Sequence, residues 1–184
     1  MVEIEPISDF QLLATASSYI RRDFEEGHKL WENSPFEWIL QLPAGSKGKL
    51  GKYLIYQWCA LKGLAVDKSS DSEADMLING HRVEIKFSTL WKSGIYKFQQ
   101  IRDQNYEYAI FLGISPFEAH CWVISKIKLK QHVIGHLGQH TGSKGQETSW
   151  FPVKPNDPPL WILPYGGTLD QAYKVLKNLK HRIS

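Results

Sequence analysis

The chain has 184 residues, enough to bury a sizeable core, and its 42% hydrophobic and 22% charged content excludes a disordered or membrane-spanning class. The net charge of +3 is too mild to name a partner. No apolar run reaches the roughly 18 residues of a membrane span, and the acidic start MVEIEPISDF is unlike a secretory signal, so one domain over 1–184 in the cytoplasm is expected.

Helix-compatible residues over 8–26 carry an apolar stripe at Phe10, Leu13, Ala14, Ser17 and Ile20. Ser34-Pro35-Phe36-Glu37 predicts the start of a short helix that Pro43 ends. Leu50, Tyr53, Leu54, Trp58 and Leu61 recur at helical spacing, which predicts an amphipathic helix over 47–62 with Gly63 as its stop. A short strand over 64–67 follows. Further on, a helix is predicted over 98–105, and strands over 106–114 and 120–125 around a Ser115-Pro116 turn. The segment GHLGQHTGSKG, 135–145, reads as an exposed loop, and 150–153 as a strand. Thr168 and Gln171 form a capping box for a last helix to about 182, with Leu169, Ala172, Tyr173, Leu176 and Leu179 facing the core. Cys59 and Cys121 are too few and too far apart for a metal motif or disulfide framework and read as reduced core residues.

The informative stretch is ADMLINGHRVEIK, 74–86. Asn79-Gly80 supplies both positive φ angles of a two-residue type I′ turn, so Ile78 faces His81 and Asp75 faces Glu84. Ala74, Met76, Ile78, Val83, Ile85 and Phe87 then share an apolar face, and Asp75, Arg82, Glu84 and Lys86 share the other. Like charges directly opposite one another destabilise a sheet. A hard divalent cation bound through oxygen would relieve that repulsion. The plainer alternative is an ordinary ion pair between Glu84 and Lys86.

Asp75 followed by Glu84-Ile85-Lys86, with an amphipathic helix before them and Ser88-Thr89 after, resembles the PD-(D/E)XK nuclease superfamily, whose fold many type II restriction endonucleases share. The resemblance implies an α/β protein with a restriction-endonuclease-like core, a mixed central sheet flanked by helices. It implies a Mg²⁺-dependent DNA endonuclease, most simply a type II restriction enzyme, acting as a homodimer on double-stranded DNA in the cytoplasm of a prokaryotic or phage-type host. Asp75, Glu84 and the Ile85 carbonyl would be metal ligands, with Mn²⁺ able to substitute, and Lys86 would orient the attacking water. Two positions depart from the pattern. Members often carry a glutamate on the preceding helix, where GKLGKY places Lys52, and Ala74 stands where a proline usually precedes the Asp. A homing, repair or junction-resolving nuclease, a non-catalytic nucleic-acid-binding module, and a structural protein are the rival readings.

Candidate DNA contacts follow from residue type and place. Lys92, Lys97, Gln99, Gln100 and Arg102 come soon after the hairpin, and glutamine can pair with adenine in the major groove. From 119 to 146 there is no Asp or Glu, and His140, Ser143 and Lys144 there offer donors and a cation to a phosphate backbone or base edge. His132, His136 and His140 are spaced by four, yet Gly135 and Gly138 argue against a zinc-binding helix. GSKGKLGK is no phosphate loop, because five residues separate Gly45 from Gly51-Lys52 and Tyr53 follows.

Overall fold

The computed structural model describes residues 8–139 and 148–179. Helix α1 (Asp9–Lys29) opens on a reciprocal box: the Ser8 amide donates to Gln11 Oε1 at 2.8 Å, and the Gln11 amide donates to Ser8 Oγ at 3.3 Å. The first part of its apolar stripe does not reach the core, for Phe10 is 78% and Leu13 70% exposed, and Ala14 and Ser17 are exposed as well. Periodicity specifies which face of a helix is apolar, not whether a neighbour covers it.

The expected helix after Ser34 is a single 3₁₀ segment, Glu37–Gln41, that buries Ile39. Helix α2 (Ala44–Leu61) starts three residues before the expected position, with Pro43 as its cap. Its end is a Schellman motif: Gly63, at φ +76°, donates to Ala60 O, and Leu64 donates to Cys59 O, each at 3.0 Å. β1 (Val66–Lys68), β2 (Met76–Ile78) and β3 (His81–Thr89) then form an antiparallel ribbon. The turn has the expected geometry, φ +50° at Asn79 and +79° at Gly80, and Met76 pairs with Val83. Buried Asn79 also fastens the hairpin, accepting from the Ala65 amide at 3.3 Å and donating to Leu176 O at 3.2 Å.

The helix expected over 98–105 is absent: 98–101 belong to strand β4 (Tyr96–Ile101), and 102–105 are irregular. A bulge explains the misreading: the pairing register shifts between Phe98 and Ile101, and Gln100 takes φ +56°. The inserted residue leaves buried Phe98 and Ile101 three apart, which imitates helical spacing. β5 (Tyr108–Ile114) and β6 (Ala119–Ser125) lie where expected. Helix α3 (Lys126–His132), capped by the Ser125 hydroxyl, carries Lys126, Lys128 and Lys130, a basic run within the acid-free stretch 119–146 that sequence alone did not mark as helical. β7 (Gly138–Gln139), β8 (Thr148–Val153), a 3₁₀ segment (Leu160–Tyr165), β9 (Gly166–Thr168) and α4 (Leu169–Asn178) complete the described chain. The Thr168-Gln171 box caps α4 as expected, and Ala172 and Leu176 are buried. The helix ends earlier than the expected 182: Leu179 is the C-cap, with extended backbone at φ −64° and ψ 118°, and 180–182 lie beyond the described residues.

The main sheet runs β1-β2-β3-β5-β6-β9, parallel only between β3 and β5, so the expected mixed central sheet flanked by helices is present. A second sheet, β4-β8-β7, covers part of one face. Strand alternation divides the interior in two. Ile55 and Cys59 of α2 and Leu176 of α4 pack on Val83, Ile85, Ile110 and Val123; on the other face Phe111 and Trp122 meet Phe98 and Phe151 of the second sheet. Both cysteines are free and buried, and burial pushes the Cys59 thiol up to about 12. On β3 the face turned toward the second sheet carries Glu84 and Lys86 instead of apolar residues.

Candidate active site

Asp75 sits one residue before β2, where its amide donates to Val83 O at 2.9 Å. Its carboxylate continues the pairing in place of backbone: Oδ2 accepts from the Ile85 amide at 2.7 Å. The other oxygen, Oδ1, is ion-paired with Lys52 Nζ from α2. That reach depends on close packing of α2 on β3. A Cβ on Gly51 would lie 2.8 Å from Phe87 Cγ, so only glycine permits this approach.

Glu84 and Lys86, two residues apart on β3, project to one side and form an ion pair of 2.7 Å with side chains 11% and 14% exposed. Lys86 Nζ also donates to Gln100 O at 2.8 Å, so the bulge of β4 supplies the carbonyl that anchors it. Burial raises the Glu84 pKa above its ordinary value of 4.5; the Lys86 ammonium opposes that rise and the Asp75 carboxylate adds to it. The folded chain therefore holds this proton more tightly than the unfolded one. That contribution to stability is complete below the ordinary glutamate range and is lost as pH rises through the raised value. In EDTA at neutral pH, Glu84→Gln should consequently melt higher than the parent, by about 2–4 °C for each kcal/mol recovered, and the gap should close in acid. Melting curves from pH 3 to 8 check this, and a gap that widens in acid would contradict it.

Asp75, Glu84, Lys86 and Lys52 line one open cavity of about 760 Å³, together with the Ile85 position. Among the proposed DNA contacts, Gln99 and Arg102 line it, as do Lys97 and Gln100, whereas Lys92 is exposed and does not. Arg102 Nε is buried with no hydrogen-bond partner among the described residues, a donor suited to an anion. Lys97 Nζ lies 3.8 Å from the centre of the Trp91 ring, which also lines the cavity. Arg82 turns away, donating to Asp71 at 2.6 Å and to Asn105 O at 2.5 Å. In the basic run, Lys126 and Lys130 both pair with Asp103, at 2.8 and 2.7 Å, which removes two of its cations from service. His132 stacks on Trp161 at 4.3 Å between ring centres. His140, Ser143 and Lys144 lie outside the described residues.

Among the described residues no group of three His, Cys, Asp or Glu is placed to hold a metal. A pair of carboxylates beside a strand carbonyl still fits Mg²⁺, which takes hard oxygen donors, keeps several waters and rarely uses an all-protein cage. Ile85 faces the β2 edge with its amide, and in a strand the carbonyl of a residue emerges on the same edge as its amide. Two partners escaped sequence reasoning. The position of Lys52 stood out only as a departure from a motif, and the Gln100 carbonyl had no signal, because a backbone group brought in by a bulge leaves no mark on residue type.

No family model matches the chain, and no curated protein does. Among solved structures it is similar to a bacterial homing endonuclease, I-Ssp6803I, at 15% identity and a TM-score of 0.48, over 73% of this chain and 92% of that one. A likeness of that degree carries no functional argument. Among the described residues no helix is long and apolar enough to cross a membrane.

Proposed function

We propose that the chain is a Mg²⁺-dependent DNA endonuclease of the PD-(D/E)XK type, and within that class a type II restriction enzyme acting in the cytoplasm as a homodimer on double-stranded DNA. The observation that supports this reading is the convergence of Asp75, Glu84 and Lys86 in one cation-rimmed cavity. Asp75, Glu84 and the Ile85 carbonyl would hold the metal, which when bound supplies Lewis acidity at the phosphate. Lys86, fixed by Glu84 and the Gln100 carbonyl, orients the attacking water and donates a hydrogen bond to it. Arg102 and Lys97 draw phosphates into the cavity. Two subunits related by a two-fold axis would each cut one strand of a palindromic site.

Incubating the purified chain with plasmid DNA in Mg²⁺, Mn²⁺ or EDTA tests the proposal. A few defined bands that disappear in EDTA support a restriction enzyme. One cut in a long target, or nicking of branched DNA, moves the assignment to a homing, or to a repair or junction-resolving, nuclease.

One observation favours a second reading. Each carboxylate already faces an ammonium, Asp75 with Lys52 and Glu84 with Lys86, as expected of a salt-bridge cluster in a non-catalytic nucleic-acid-binding module. DNA binding without cleavage in either metal would establish that alternative.

A further inference from the structure

We infer that Lys52 is the resident counter-ion of Asp75, released when a divalent cation binds, and that its freed ammonium then contacts a phosphate of the DNA substrate. The inference rests on the metal-dependent reading above and concerns a residue to which that reading gave no role.

The geometry sets up a competition. Asp75 has one oxygen committed to the Ile85 amide, so the ion pair with Lys52 engages the oxygen left for any other cation. Two positive charges cannot share that oxygen without strong repulsion. The side chains also differ in freedom: that of Asp75 is 9% exposed and tied to backbone, whereas that of Lys52 is 48% exposed at the end of a flexible four-carbon stem. Displacement therefore requires a rotation of one lysine and leaves the strand intact. The helix beneath does not move with it, because Gly51 seats α2 against Phe87.

Released, Lys52 has a use within reach. It lines the cavity with Lys47, Lys49, Lys97 and Arg102, so its ammonium stays on the rim where a polyanion would lie. Lys47 donates to Leu40 O at 3.3 Å from the same end of α2. The exchange couples the two ligands: metal binding adds a cation at Asp75 and frees another for DNA, whereas the metal-free site keeps both charges neutralised. Where relatives by motif place an acid, this chain thus places a base that substitutes for a cation at rest and assists the substrate when loaded.

The test separates this inference from the reading beneath it. Mn²⁺ binding to the full chain without DNA is measured by calorimetry for the parent, Lys52→Met, Lys52→Arg and Asp75→Asn. Lys52→Met should bind Mn²⁺ roughly threefold to tenfold more tightly than the parent. Lys52→Arg should return to near the parent value, and Asp75→Asn should lose the site. In a Lys86→Met background, which blocks turnover, the salt dependence of duplex binding is then compared. Adding Lys52→Met should lower the slope by about one phosphate contact in Mg²⁺ and leave it unchanged in EDTA. Equal Mn²⁺ affinity of the parent and Lys52→Met, or an unchanged slope in Mg²⁺, overturns the role of Lys52 while leaving the nuclease reading standing. A parent chain that binds no Mn²⁺ overturns both.

Discussion

Asp75→Asn should reduce the cleavage rate by on the order of 10³-fold while the protein stays folded. The asparagine oxygen can still accept from the Ile85 amide, so the end of the hairpin keeps its hydrogen bond. What disappears is the negative charge that Lys52 balances and that a metal would need. Lys86→Met should lose on the order of 10²–10⁴-fold for a different reason, removal of the donor proposed to orient water, with metal affinity retained. Single-turnover cleavage beside a circular dichroism melt separates the two effects from unfolding. Cleavage at the parental rate by Asp75→Asn would refute the assignment of this residue, and with it the proposed chemistry.

Gly51→Val should cost about 1–3 kcal/mol, or about 2–4 °C in melting temperature per kcal/mol, and should weaken cleavage as well. The added carbons have nowhere to go, since a Cβ at this position already intrudes on the Phe87 side chain. α2 must lift from β3, and the Lys52 ammonium moves with it away from the cavity rim, where the inference above needs it for a phosphate. Gly48 provides the contrast within the same helix. It has open space around its Cβ position, so Gly48→Ala should be neutral or stabilising by about 0.5–1 kcal/mol, the usual gain from replacing glycine inside a helix. Urea unfolding of the two variants decides the matter, and equal losses would show that close packing at Gly51 is not what seats the helix.

The metal-free pH dependence at Glu84 has a functional counterpart. With its pKa raised by burial and by the second carboxylate, ionised Glu84 should destabilise the metal-free fold, a cost that a cation bound as proposed would offset. The same residue would then favour melting at higher temperature as glutamine and cleavage only as glutamate.

Local pattern determined the hairpin, its register from Met76 to Val83 and the capping of α4. Asn79-Gly80 admits one tight turn, and with that turn set, Met76 pairs with Val83 and the period of two puts Lys86 on the face of Glu84; the ladder ends at Met76, so Asp75 does not pair with Glu84 as expected but bonds to Val83 O through its amide and to the Ile85 amide through its carboxylate. These features depend on residues close in sequence, which is why they were legible. The face carrying Phe10 and Leu13 was legible too, but its exposure was not, because burial depends on what arrives from elsewhere in the chain. Tertiary structure alone decided that 96–101 is a bulged strand, that its Gln100 carbonyl meets Lys86, and that α2 brings Lys52 to Asp75. In each case the partners lie 14 or more positions apart, and their meeting follows from sheet pairing and helix packing. The acidic hairpin and its Lys86 were written in the sequence, while Lys52, the cation that balances Asp75, was brought there by helix packing.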